Sequence, residues 1–171
     1  FNWNSGGNPA GIIYAVEYST AASFAPSVQV TTTSLSLPVS GLLVNTTYYA
    51  RVSALNQAGA PTAALDIGSA STLALQPAAS ASPITSVTAA SMVFNWDNPG
   101  NPAGTVYLLE YTSAAFASAV QVATTSLTLQ ALGLQANTTY YARVSAANHA
   151  GAQTAALYIS STATLALQPV A

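Results

Sequence analysis

Apolar and polar residues alternate along several short segments of the chain. Tyr14, Val16 and Tyr18 are separated by an alanine and by Glu17, so one face of this segment is apolar and Glu17 lies on the other. Similar alternating runs recur downstream, and stretches rich in glycine, proline, serine or asparagine separate them. No window as long as a typical helix carries a helical stripe of apolar positions. The pattern predicts an all-β protein built from short strands.

The chain contains two copies of one sequence unit, called the first and second repeat. Residues 1–79 align with 94–171, at an offset of 93 positions that becomes 92 after a one-residue deletion near Ser23. The longest identical block, residues 45–54, recurs unchanged at 137–146. Self-similarity at a fixed spacing is typical of repeated structural units. We therefore predict two domains of the same fold.

Both repeats share a motif that extends over their whole length. It comprises a tryptophan followed by an Asn-Pro loop, an alternating strand with tyrosine at both ends, and the pattern Leu-x-x-Asn-Thr-x-Tyr-x-x-Arg-Val-x-Ala-x-Asn-x-x-Gly. In the first repeat these positions are Trp3, Tyr14, Val16, Tyr18, Leu42, Thr46, Tyr48, Val52, Ala54, Asn56 and Gly59. In the second they are Trp96, Tyr107, Leu109, Tyr111, Leu134, Thr138, Tyr140, Val144, Ala146, Asn148 and Gly151. The combination resembles the fibronectin type III domain.

The resemblance implies two tandem seven-stranded immunoglobulin-like sandwiches, each with its tryptophan in the core and a tyrosine corner at Tyr48 or Tyr140. The second repeat has a candidate first strand at 84–88, whereas the first repeat begins directly at its second strand. We expect a domain at 1–75 that lacks its N-terminal strand, a linker at 76–82 and a second domain at 83–171.

A sandwich without an edge strand exposes unpaired backbone, which can accept a strand from elsewhere. The candidate edge consists of Phe1, Asn2, Trp3 and Asn4. Two explanations are open at this stage. Either the 171 residues are a segment of a longer array of repeats, or a neighbouring chain supplies the missing strand.

Charged residues make up only 4% of the chain, against about 25% in an ordinary soluble domain. Two basic residues cannot neutralise a run of phosphates, which excludes nucleic-acid binding. No apolar run is long enough to cross a bilayer, so we expect no membrane insertion. The chain has no cysteine and therefore neither disulfides nor a zinc–thiolate site. We predict no metal and no cofactor.

The few charged residues suggest ion pairs more than catalysis. Glu17 and Arg51 fall on the outward faces of strands that are neighbours in the family's sheet, as do Glu110 and Arg143. Each pair is a candidate cross-strand ion pair or, alternatively, a polar contact point for a partner that recurs once per repeat. No nucleophile has a base partner and no carboxylate pair recurs, so we expect no enzymatic activity.

Two Asn-Thr-Thr segments fit the acceptor pattern for N-glycosylation, with Asn45 and Asn137 as the candidate sites. The same segments also fit the turn that leads into the tyrosine corner, because asparagine tolerates left-handed backbone. Both interpretations are open, and glycans are therefore a candidate partner.

The outward strand faces are formed almost entirely by uncharged residues. Such faces repel one another weakly and can pack together without burying unpaired charge. We expect a structural module of an extracellular or cell-surface repeat protein or filament, of bacterial type, that binds copies of itself or adjacent repeats. The association would use strand addition and packing of uncharged β-faces.

One alternative is an accessory spacer of a secreted polysaccharide-degrading enzyme, with Tyr49, Tyr141 and Tyr158 stacking on sugars. Another is an adhesin ectodomain.

Overall fold

The alternating segments form β-strands in the computed structural model, which describes residues 1–170. The strands belong to two units, Phe1–Thr72 and Leu73–Ala171. Within the described residues the one helical element is a short 3₁₀ turn, Phe116–Ser118. No helix in this part of the chain is long and apolar enough to span a membrane. The fold is all-β, as the sequence predicts.

The second unit is a complete seven-stranded sandwich. Its strands are β5 (Ala78–Thr85), β6 (Ser91–Asp97), β7 (Val106–Thr112), β8 (Val120–Thr124), β9 (Thr128–Leu132), β10 (Thr139–Ala147) and β11 (Leu157–Ala163). One sheet has the order β5-β6-β9 and the other the order β11-β10-β7-β8, and the paired strands are antiparallel. Strand β5 is thus an edge strand that covers one side of β6.

The core of the second unit follows from the period of two along its strands. Tyr140, Ala142 and Val144 of β10 all point inward and are buried. Trp96 on β6 is 2% exposed, and its ring lies 5.9 Å from that of Tyr107. Both sheets therefore contribute to one continuous apolar cluster, as the resemblance implies.

The first unit has one full sheet and only a remnant of the other. The sheet contains β1 (Ile13–Ser19), β2 (Val28–Thr32), β3 (Thr47–Leu55) and β4 (Leu65–Ser71), in the order β2-β1-β3-β4. Opposite it, the counterparts of β6 and β9 are joined by a single bridge between Asn2 and Ser36. The buried cluster is correspondingly small and consists of Trp3, Tyr14, Val16 and Val52.

The boundary between the units differs from the expected linker at 76–82. The first unit ends at Thr72, and residues 78–85 form β5 instead of a linker followed by a strand at 84–88. The Ala-, Ser- and Pro-rich composition of this segment suggested a linker. Proline is tolerated here because β5 is an edge strand with a register shift between Ala79 and Ile84, where the missing N–H is not required.

The turn before each long central strand has the geometry that the sequence indicates. Asn45 and Asn137 adopt positive φ values of 44° and 52°. The backbone N–H of Leu43 donates to the hydroxyl of Tyr48 at 3.0 Å. In the second unit the N–H of Gln135 donates to the hydroxyl of Tyr140, also at 3.0 Å. Each tyrosine therefore fixes the turn that precedes its own strand.

Candidate functional site

The open edge of the first unit starts at its N-terminal segment. The N–H of Trp3 donates to the carbonyl of Leu35 at 3.1 Å, and the N–H of Leu37 donates to the carbonyl of Phe1 at 2.9 Å. In an antiparallel pair, backbone groups alternate between the two sides of a strand. The N–H and C=O of Asn2 therefore point away from 35–37, toward a side where no strand of the first unit lies within the described residues.

A groove lies beside this edge, with a volume of about 470 Å³. We call it the first-unit groove. Its lining residues are Phe1, Asn2, Leu37, Pro38, Val39, Leu42, Ile67, Gly68, Ser69 and Ala70. The N-terminal edge forms one wall and strand β4 contributes another. The groove thus combines free backbone groups with apolar side chains, which is what an added β-strand requires.

The second unit shows what occupies the corresponding position. Strand β5 pairs with β6, placing Ala79 opposite Trp96 and Ile84 opposite Phe94. It also contacts β11, the counterpart of β4. Ile84, together with Val87 just beyond the strand, packs against the buried cluster. In the second unit the equivalent of the first-unit groove is therefore filled by a strand.

The four charged residues singled out from the sequence meet in two equivalent pairs. Nε of Arg51 donates to Oε2 of Glu17 at 2.8 Å, and Nε of Arg143 donates to Oε2 of Glu110 at 2.6 Å. The arginine side chains are 37% and 36% exposed. Each pair therefore sits at the surface, on the outward face of the four-stranded sheet.

An aromatic ring accompanies each ion pair. The guanidinium of Arg51 lies 4.3 Å from the centre of the Phe24 ring, and that of Arg143 lies 4.4 Å from the Phe116 ring. Neither phenylalanine is among the residues that the sequence predicts for this site. The available signal was that the two phenylalanines align with each other when the one-residue deletion near Ser23 is placed immediately before Phe24.

The two candidate glycosylation sites differ in exposure. Asn45 is 1% exposed, whereas Asn137 is exposed. Oligosaccharide transfer needs access to the side-chain amide, so the structure favours Asn137 and disfavours Asn45.

Among the candidate sugar-contacting aromatics, Tyr141 and Tyr158 are 39% and 53% exposed, and Tyr49 is half-buried. Residues 1–170 contain no group of three or more histidine, cysteine, aspartate or glutamate side chains that could hold a metal.

Residues 77–162 match the Fibronectin type III domain family. The chain belongs to this family. A two-domain fibronectin type III segment from chicken tenascin superposes with a TM-score of 0.61 at 14% identity, covering 95% of this chain and 90% of that one. The FN1–FN3 domains of chicken CNTN1 give a TM-score of 0.49 at 19% identity, covering 90% of this chain. This chain spans 56% of that segment's length. No curated protein matches the chain.

These similarities establish the fold. The low identities to solved structures carry no information on a particular ligand. Fibronectin type III domains are generally structural modules without catalytic activity, and they are typically extracellular.

Proposed function

We propose that this chain is a non-catalytic structural module of an extracellular surface protein or filament, and that its first unit accepts a β-strand from a neighbouring copy. The observation that carries the proposal is the first-unit groove, whose counterpart in the second unit is filled by β5. A bacterial source stays a prediction from the sequence.

The free backbone of the edge supplies the first driving force. A strand laid beside Asn2 would satisfy its outward N–H and C=O groups, and main-chain hydrogen bonds give such strand addition its affinity. Side chains at alternate positions would enter the groove, as Ile84 does in the second unit. Burial of apolar area there adds a contribution of about 25 cal/mol per Å².

The small number of charged residues supplies the second driving force. Glu17 and Arg51 neutralise each other within one unit, and Glu110 and Arg143 do so within the other. The remaining outward positions are almost all uncharged, so faces of neighbouring copies can pack without burying an unpaired charge. Strand addition and packing of uncharged faces therefore act together in the proposed assembly.

A peptide that fills the groove tests this function. A synthetic peptide of residues 77–88, which contains β5 and its flanking residues, is added to the 171-residue chain during sedimentation measurements over a range of concentrations. We expect the chain to associate as its concentration rises, and the peptide to suppress that association and raise the unfolding temperature of the first unit. The control peptide carries Ile84→Asp, which places a charge where the groove is apolar. A chain that stays monomeric and is unaffected by either peptide contradicts the proposal.

A further inference from the structure

Four side chains form a row across the four-stranded sheet of the second unit, one from each strand. Arg143 of β10 lies opposite Tyr158 of β11 and Glu110 of β7, and Glu110 lies opposite Gln121 of β8. We call these four residues the second-unit row. Tyr158 is 53% exposed and Gln121 is also exposed, so the row lies on the outward face of the sheet.

The first unit carries the same row with one replacement. Asp66 of β4, Arg51 of β3, Glu17 of β1 and Gln29 of β2 occupy the corresponding positions, which we call the first-unit row. An aspartate thus stands where the second unit has a tyrosine, and the other three residue types are identical. The first-unit row is therefore an internal reference for the second.

The polar groups of the first-unit row bond to one another. Nε and Nη2 of Arg51 both donate to Oε2 of Glu17. Nε2 of Gln29 donates to the other carboxylate oxygen, Oε1 of Glu17, at 3.3 Å. Both oxygens of this carboxylate and two nitrogens of this guanidinium therefore have partners within the unit.

The polar groups of the second-unit row are far less occupied. Nε of Arg143 donates to Oε2 of Glu110, and within residues 1–170 this is the one hydrogen bond that the four side chains make. Both Nη groups of Arg143, Oε1 of Glu110 and the amide of Gln121 are therefore accessible to a ligand. Together they offer N–H donors beside oxygen acceptors.

Aromatic rings surround these polar groups. Tyr141 precedes Arg143 by two positions on β10, so its ring lies on the same face, and it is 39% exposed. The ring of Phe116 lies 4.4 Å from the Arg143 guanidinium and restricts its motion. The second-unit row thus combines a fixed guanidinium and a carboxylate with the exposed rings of Tyr158 and Tyr141.

A neutral sugar is the ligand that matches this combination. Its C–H face packs on an aromatic ring, and each hydroxyl can accept from a guanidinium and donate to a carboxylate. Arg143 and Glu110 cancel in charge, so a polyanion or a polycation gains no net attraction. A polyproline segment also packs on exposed aromatic rings, but it has no N–H to donate to Glu110.

We propose that the second-unit row, with Tyr141 beside it, binds a neutral oligosaccharide. One sugar ring stacks on Tyr158, while its hydroxyls bond to the Nη groups of Arg143 and to Oε1 of Glu110. The first-unit row does not bind, because Asp66 offers no ring and the Glu17 oxygens are already bonded. This function is separate from strand addition at the open edge of the first unit.

The side-chain signals of the two arginines test this binding in one sample. The chain contains one arginine in each row, so their Nε–H resonances report on the two rows separately. Cellohexaose, xylohexaose, mannohexaose and laminarihexaose are titrated into the isotope-labelled chain to millimolar concentration. We expect at least one of them to shift the Arg143 signal saturably and to leave that of Arg51 in place. No shift with any of the sugars, or equal shifts of both arginines, overturns the inference.

Two variants and two further probes establish whether the ring and the neutral charge matter. Tyr158→Ala should weaken the binding at least about tenfold, because the stacking surface is lost. Tyr158→Phe keeps that surface and should bind as wild type does. Hexagalacturonate, which is anionic, and hexaproline should leave the Arg143 signal in place. Equal binding by the alanine variant and wild type, or a saturable shift with either of these probes but not with the neutral sugars, contradicts the proposal.

Discussion

Arg143 stacks on Phe116, with the guanidinium 4.4 Å from the ring centre while its Nε donates to Glu110. The same three residue types meet in the first unit at Arg51, Phe24 and Glu17. The aromatic ring limits the arginine's motion and holds its charge toward the carboxylate. Each unit therefore neutralises its own central arginine on a sheet face with few other charges; in the first unit Asp66 lies opposite Arg51 on the neighbouring strand.

Replacing the ring should weaken each unit modestly. We expect Phe116→Ala to lower the free energy of unfolding of the second unit by about 0.5–1 kcal/mol, the usual range of an exposed cation–π contact. Urea unfolding in a Trp3→Phe background, where Trp96 is the remaining tryptophan, measures this loss. Phe116→Tyr, which keeps a π face, is the control and should behave as wild type. An equal loss in both variants contradicts the stacking contribution.

The tyrosine corner should contribute to stability through its hydroxyl. Tyr140→Phe removes the acceptor of the Gln135 N–H and keeps the ring. We expect a loss of about 1 kcal/mol in the unfolding free energy of the second unit. Tyr48→Phe is the matched variant in the first unit and should act through Leu43 in the same way. Unchanged unfolding midpoints in both variants would show that the corner hydrogen bond is energetically neutral.

Glycosylation should distinguish two identical sequence motifs. In a secretory host that attaches N-glycans, we expect modification at Asn137 and little or none at Asn45, which is 1% exposed. Mass spectrometry of the two peptides gives the occupancy of each site. Asn137→Gln should then remove the glycan mass and Asn45→Gln should not. Greater occupancy at Asn45 than at Asn137 is the contrary result.

The second unit should lose stability in alkali. Burial, and secondarily the neighbouring Tyr140, raise the pKa of Tyr111 above its ordinary value of 10.0. The folded state therefore holds this proton more tightly than the unfolded chain, so its contribution is complete below pH 10 and is lost as the pH rises through the folded-state pKa. Tyr111→Phe keeps the stacking on Phe94, whose ring lies 5.7 Å away. Its stability should fall less between neutral pH and pH 11 than that of wild type, as urea titrations would measure.

Much of the fold could be predicted because it depends on local patterns. The alternation of apolar and polar residues predicts that the side chains of Tyr140 and Val144 face the core. The Asn-Thr-x-Tyr motif predicts the turn at Asn137. The position of β5 could not be predicted, since its Ala-, Ser- and Pro-rich sequence has weak strand preference and is ordered by pairing with β6. Pairing with β6 therefore determines the structure of this segment, although its local composition is typical of a linker.

The candidate site was predictable in outline only. The sequence shows that the first repeat starts at its second strand and so locates the edge at Phe1–Asn4. It does not show that Asn101 clamps Leu75 or that Arg143 stacks on Phe116, because these contacts join residues about 26 positions apart in each case. The folded second unit shows the two hydrogen bonds between Asn101 and the backbone of Leu75.

Hydrogen exchange at the Asn2 amide tests strand addition most directly. Its N–H points to the open side, whereas the Trp3 amide is already bonded to Leu35 and serves as the internal reference. NMR detection at increasing concentrations of the 171-residue chain would follow both amides. We predict that protection of Asn2 rises with concentration while protection of Trp3 changes little. An Asn2 amide that exchanges at the same fast rate in dilute and in associated samples would contradict strand addition at this edge.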